Sequence, residues 1–360
     1  MKPTSNTIST PSPHEVWILL DSRLYGGIES HVLELAHGLK DLNIKVRIIF
    51  AVKYYPQAPL VSKLNPENLP HSYLNELAQK QNSNGLLSLM KSLRQAVKKY
   101  QPQAIHTHGY KAALLARFAK VYCSQFPHLI STYHAGETPK GKVWFYDWLD
   151  RLTGRLSEHC FAVSPGIQKK LYATSELINN FVSLPHDQPN LGKEVAFVGR
   201  LSHEKGADRF IEIAKEFPTL SFTIYGDGPE REALETDAPI NVTFHGHQFN
   251  MESVWQQIHF LIITSRHEGL PMVALEAMAR GIIVISLDVG RLKDVLITGK
   301  NGFIAEDIQT LKEHLILCLT MHPERKLLIQ QSAIQTITDH FSAKVIIPKL
   351  IEHYQIENPF

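Results

Sequence analysis

The sequence predicts an α/β protein made of two doubly wound units joined once, and three observations predict it. Short apolar runs alternate with amphipathic helical runs through nearly the whole chain. The apolar runs are continuous, as in parallel strands covered on both faces. The alternation lapses once, around residues 181–193, into VSLPHDQPNLGK, whose prolines and polar residues suit an inter-domain linker. A length of 360 residues is also too great for one small core.

EVWILLD (15–21) is a buried strand that ends at the Gly26-Gly27 turn. The helix after it, from Ile28, carries Val32, Leu35, Ala36 and Leu39 on one face at the 3.6-residue period. KVRIIFAV (45–52) is the next strand, 88–100 a basic amphipathic helix and AIHTH (104–108) a strand. Residues 111–122 form a helix, and LISTYH (129–134) and CFAVS (160–164) are strands. After the lapse the pattern restarts: VAFVG, a helix over 208–216, SFTIYG, a helix near 229–234, NVTFHG, HFLIITS, a helix over 271–280 and GIIVIS. The expected organisation is a tail at 1–14, a first domain at 15–182, a linker at 183–193 and a second domain at 194–340.

The composition is that of a soluble globular chain, 44% hydrophobic and 20% charged. A net charge of +2 gives no polyanion signal, so no nucleic-acid partner is expected. The three cysteines are scattered and odd in number, which fits a reducing cytoplasm better than a disulfide framework or a zinc site. No apolar run approaches the roughly 18–20 residues that span a bilayer, and the polar leader has no secretion-signal core. Cytoplasmic location is therefore expected.

Candidate chemistry gathers at the carboxyl ends of the strands, where open α/β sheets bind ligands. VAFVGRLSHEKG delivers Arg200 and, five residues later, Lys205 to a strand-to-helix turn, a plausible phosphate clamp or simply solvated loop charge. In RHEGLPMVALEAMARG, Glu268 precedes a helix and Glu276 lies about a turn inside it, with Pro271 at the first helical position. The first-turn amides of that helix favour an anion. The two carboxylates suit vicinal hydroxyls, so sugars are reasonable partners, the alternative being that Glu276 pairs with a buried Arg or Lys. YGDGP is a tight turn that lacks the full GxGxxG fingerprint, which disfavours a dehydrogenase. Gly26 and Gly27 would let a ligand approach backbone amides, and His134 stands at a strand's carboxyl end. A lone histidine is more often structural, and the chain has 19.

In this order, the segments resemble the retaining glycosyltransferases of family 4, from about Val16 to the end and most strongly over 195–307. GRLSHEKG, YGDGPERE, the Glu268-x7-Glu276 segment and GRLKDVLITGKNGFI carry the resemblance, supported by GGIESHVLELAHGL and STYH. It implies a GT-B architecture: two Rossmann-like domains facing a central cleft, the first completed by a C-terminal helix at 341–360. It implies that Arg200 and Lys205 hold the donor diphosphate, that Glu276 binds the ribose, and that Glu268 contacts the donor sugar. Amides around Leu270, Pro271, Met272 and Val273 would assist, Gly27 with Gly26 would lie near phosphate and acceptor, and His134 would contact the sugar. The implied reaction is metal-independent, cofactor-free transfer from a nucleoside-diphosphate sugar, UDP by default. The implied acceptor is a glycan or a lipid-linked or lipopolysaccharide-type molecule of the cell envelope. The basic stretches KSLRQAVKKY and KAALLARFAKVY suit either ordinary core-facing helices with solvated lysines or a weak membrane contact at the cytoplasmic face. SLPHDQPNLG departs from the family's Pro-Asn-Gly stretch and leaves donor contacts from it open. A sugar-nucleotide 2-epimerase and a non-catalytic scaffold share the architecture and stand as alternatives.

Overall fold

The computed structural model describes residues 10–66, 68–80, 84–134, 142–185, 192–248 and 250–356. The start of the expected tail and the middle of the expected linker, 186–191, lie outside the described residues. By internal contacts the chain divides into two compact units, one of residues up to Asn179 together with those from Ile346, the other Asn180–Val345.

The first unit is built on a parallel sheet of seven strands among the described residues: β1 (Val16–Leu20), β2 (Val46–Phe50), β3 (His71–Tyr73), β4 (Ala104–His108), β5 (His128–Tyr133), β6 (His159–Ala162) and β7 (Glu176–Leu177). Their order is β3-β2-β1-β4-β5-β6-β7. The second unit has six: β8 (Glu194–Val198), β9 (Phe222–Tyr225), β10 (Val242–Gly246), β11 (Ile258–Ile263), β12 (Ile283–Leu287) and β13 (Phe303–Ala305), in the order β10-β9-β8-β11-β12-β13. Both orders are those of a doubly wound sheet, with the direction of winding reversing at β1/β4 and again at β8/β11. The short strands β3, β7 and β13 are too brief to leave a periodic signal, and the sequence reading lacks them.

Packing explains the continuous apolar strands. In β11, Leu261 and Ile263 join one core with Leu275, Met278 and Ala333, whereas Phe260 and Ile262 join another with Phe210 and Leu311. Alternate side chains thus enter two separate cores, so both faces of the sheet are covered. The first unit buries a charged pair as well. Arg47 donates to Glu15 from Nε at 2.8 Å and from Nη2 at 3.2 Å, with both residues almost fully buried. Burial opposes the Glu15 charge, but the Arg47 and Ser12 hydrogen bonds outweigh it and hold the carboxyl below its ordinary range.

The boundaries differ from the expected ones for visible reasons. Residues 180–182 are tied into the second unit: Val182 N donates to Phe341 O at 2.9 Å, and Asn180 Nδ2 to Leu270 O at 2.8 Å. The first unit therefore ends at Asn179, not at 182. Phe341 and Ser342 belong to the second unit for the same reason, and the return to the first begins at Ile346 within helix Ala343–Ile351. Tyr354, fully buried, anchors that return through His106.

Candidate functional site

In the second unit the polar groups collect at the β8/β11 switch point. After β8 the chain runs through Arg200 to a short 3-10 turn, His203–Lys205, and then into helix Ala207–Glu216. After β11 it runs through Thr264–Gly269 to helix Met272–Ala279. The two loops are laced together. Thr264 Oγ1 donates to Gly206 O at 2.7 Å and Arg266 N to Glu204 O at 2.8 Å, while Arg266 forks onto Asp208 at 2.7 and 2.5 Å. Gly206 has φ +68°, and a Cβ there would stand 2.3 Å from Thr264 O, so only glycine permits this approach. The YGDGP turn braces the same place: Gly199 N donates to Tyr225 O and Leu201 N to Asp227 O, both at 3.0 Å. Gly290, at φ +60°, lets the loop after β12 close on the other side, with Arg291 N donating to Gly269 O at 2.8 Å.

Within that frame Lys205 Nζ donates to Glu268 Oε1 at 2.6 Å, and Ser265 Oγ donates to the same oxygen at 2.8 Å. The structure thus brings together the residue expected at the donor diphosphate and the one expected at the donor sugar. Glu268 is nearly buried, its side chain 8% exposed, whereas Lys205 retains 32%. Arg200, in the same loop as Lys205, is exposed, and its guanidinium makes no hydrogen bond or ion pair among the described residues. Leu270, Pro271 and Met272 are buried and Val273 half-buried. Pro271, expected at the first helical position, is instead the N-cap, with φ −69° and ψ 126°, because helical geometry begins only at Met272. No side chain caps this helix, which leaves the amides of Met272 and Val273 for a ligand. Glu276 lies half-buried one turn further on, while nearby Arg280 is committed to Glu252 at 2.6 Å and to the Glu276 carbonyl at 2.9 Å.

Gly26 is the N-cap and Gly27 the first residue of helix Gly27–Asp41, both exposed, and a Cβ on Gly27 would meet no atom within 4 Å. His134 follows β5 directly and is half-buried, lining a cavity with Ile28, Gly109, Tyr110, Thr132 and Asp150. It does not stand alone, and this the sequence reading missed. His134 Nε2 lies 2.9 Å from His108 Nδ1, and its ring centroid is 4.8 Å from that of His31. His106 packs at a tilt against His108, ring centroids 4.3 Å apart, and has both nitrogens engaged, with Tyr354 Oη and Thr132 Oγ1 at 2.7 Å each. Burial pushes His106 down to about 3 and His108 and His134 well below the ordinary histidine value, with the neighbouring imidazoles adding to it. All three are neutral at pH 7. The signal was present: His106 and His108, two apart on one strand, must share a face.

The acid-x-acid pair Glu235 and Asp237, after the YGDGPERE turn, is engaged with Arg231 and Lys215 at 2.8 Å each. The stretch KAALLARFAKVY is mostly core. Arg117 is fully buried, donating to Asp150 Oδ1 and to Tyr133 Oη at 2.7 Å each. KSLRQAVKKY, in helix Leu86–Tyr100, does expose Lys91, Lys98 and Lys99. No helix among the described residues is long and apolar enough to cross a membrane.

Comparison with known proteins accounts for both units. Residues 185–334 match the family model for glycosyl transferases group 1, and 25–182 match that for glycosyltransferase family 4. An uncharacterized glycosyltransferase of Methanocaldococcus jannaschii is 25% identical over 343 residues, 86% of this chain and 90% of its own length. A 2-deoxystreptamine N-acetyl-D-glucosaminyltransferase of Niallia circulans is 31% identical over 129 residues, about a third of each chain. Among solved structures, Anabaena HepE in complex with UDP-glucose shares the fold with a TM-score of 0.76 at 17% identity, over 94% of this chain and 99% of that one.

Proposed function

Since this chain belongs to the family 4 glycosyltransferases, of the GT-B type, we propose that it moves a sugar, with retention at the anomeric carbon, from a UDP-sugar to a glycan or lipid-linked acceptor of the cell envelope. The observation that carries this reading is the Lys205–Glu268–Ser265 cluster, at 2.6 and 2.8 Å, at the β8/β11 switch point, with the exposed Arg200 in the same loop as Lys205. An ammonium has three donors and a carboxylate about four acceptor positions, so each partner keeps capacity for a ligand while holding the other in place. Lys205 and Arg200 face the diphosphate, and the first-turn amides of helix Met272–Ala279 supply fixed dipoles to the same charge. Negative charge grows on the departing diphosphate as the glycosidic bond breaks, and these groups need no reorganisation to meet it. Glu268 accepts from sugar hydroxyls and Glu276 from the ribose. HepE, crystallised in complex with UDP-glucose, supports UDP as the nucleotide of the donor.

His134 contacts the sugar as a neutral imidazole, oriented by His108. The reaction requires no metal in this reading, and activity in the presence of a chelator checks that point. The exposed lysines of helix Leu86–Tyr100 supply an electrostatic contact with an anionic leaflet, tested by sedimentation with acidic and with neutral vesicles. The function itself is tested by incubation with a panel of nucleoside-diphosphate sugars, following release of the diphosphate and the anomeric configuration of the product. Turnover of one UDP-sugar with retained configuration is expected. Inverted product, or 2-epimerised donor without transfer, contradicts the proposal.

A further inference from the structure

We infer that His31, His108 and His134 form a binding site for one transition-metal ion of the zinc type. One ligand nitrogen from each side chain lies within 4.8 Å of the other two. Three imidazoles are a donor set that holds zinc while leaving one position open. The imidazole-only set favours zinc, copper or nickel over magnesium or calcium, which demand oxygen ligands. Zinc–nitrogen bonds of about 2.0–2.1 Å place tetrahedral ligands roughly 3.3 Å apart. The His108–His134 separation of 2.9 Å is within a small ring rotation of that value.

Two features set this trio apart from a mere stack of aromatic rings. Nδ1 of His108 is the nitrogen that meets His134, and its Nε2 is buried with no hydrogen-bond partner among the described residues, so no hydrogen bond on that side holds the ring against the small rotation an ion requires. His106, the fourth ring of the stack, is excluded because Tyr354 and Thr132 occupy both its nitrogens. It acts instead as a wall that fixes His108. The three ligands come from helix Gly27–Asp41, from the end of β4 and from the residue after β5, so the backbone sets their spacing. His134 is half-buried, which gives the ion a route in and an open face.

An ion held there takes the lone pair of His134, and the imidazole no longer meets the donor sugar. Zinc therefore inhibits transfer, and a chelator restores it. That consequence rests on the function proposed above, whereas the binding does not. A second cluster, His159, Glu176 and His353, provides an internal control: His353 Nε2 stands 3.6 Å from Glu176 Oε2, and that carboxylate is exposed to solvent.

The test uses the full chain, stripped with a chelator, dialysed, and titrated with Co2+ and then Zn2+ while visible absorption is followed. One equivalent of cobalt should develop the intense bands of four-coordinate Co2+, and zinc should abolish them. His108→Gln and His134→Gln should each weaken binding by about 100-fold or more, and His353→Gln should leave it unchanged. Circular dichroism shows whether the variants fold, and His134→Gln, half-buried, carries the test if His108→Gln does not. Absence of stoichiometric binding overturns the inference, as does binding that survives both triad variants or is lost with His353→Gln. A wild-type chain that binds zinc stoichiometrically yet turns over donor unimpaired keeps the site and removes His134 from the proposed reaction.

Discussion

In the second unit the polar groups at the switch point come from two nearly contiguous stretches, 199–206 and 264–276. In the first unit the imidazoles come from positions 31, 106, 108 and 134. The first arrangement is held by backbone-to-backbone contacts that glycines permit, as at Gly206 and Gly290. The second is held by side-chain stacking in a buried space, with Tyr354 from the far end of the chain closing it. The difference teaches where a site is robust. On the laced loops Arg200 and Lys205 keep contact with solvent while Glu268 is nearly buried against Lys205, whereas neutral imidazoles packed together depend on burial and therefore on pH.

The largest effect that separates the two should come from Lys205→Ala or Glu268→Ala. Each removes a group proposed to act on the donor, and transfer should fall by about 10²–10³-fold while circular dichroism stays native. Undiminished turnover by both folded variants breaks the assignment of the second unit. Gly290→Ala comes next. It forces a left-handed residue and places a Cβ 2.1 Å from Gly269 O, so the second unit should lose about 2–4 kcal/mol in denaturant unfolding. A stability change near zero would show that this lacing is loose.

Acid should act on the first unit. The folded value for His106 is about 3, depressed by burial, and that for His108 is also well below the ordinary 6.5. Unfolded chains take up protons first, so the stability these groups contribute is complete above about pH 6.5 and is lost as pH falls below it. Each fully buried imidazole costs up to about 1.4 kcal/mol per pH unit over that window. Limited proteolysis between pH 7 and 5 should cut the first unit before the second, and simultaneous loss of both would contradict the contrast. The smallest effect on stability is expected from Gly27→Ala, whose Cβ meets nothing in the protein. Folding should be unchanged or gain up to about 1 kcal/mol, with transfer reduced if the space is the substrate's, as proposed. Unimpaired transfer would remove Gly27 from the site.

The sequence made the second unit readable for the same reason that its site is robust. Arg200, Lys205, Glu268 and Glu276 sit in local motifs whose spacing survives in one dimension, and the switch point then places them together. The stack in the first unit was not readable, because His31 and Tyr354 reach it from helix Gly27–Asp41 and from the chain's return after Ile346. Only the His106-x-His108 spacing hinted at it. The domain boundary shifted to Asn179 because Asn180 and Val182 bond to Leu270 and Phe341, a long-range tie that composition does not record. The basic stretch at 111–122 takes the core-facing alternative, since Arg117 is committed to a buried pair with Asp150.

The central claim is that the second unit holds a nucleoside-diphosphate sugar through Arg200 and Lys205, with Glu268 on the sugar. Isothermal titration of the wild-type chain and of Lys205→Ala with UDP and with a UDP-sugar tests it most directly. Saturable one-to-one binding by the wild type, weakened at least about tenfold in the variant, is the predicted result, about 1.4 kcal/mol of lost affinity. No binding of either nucleotide by the wild type, or equal binding by the two proteins, would contradict it.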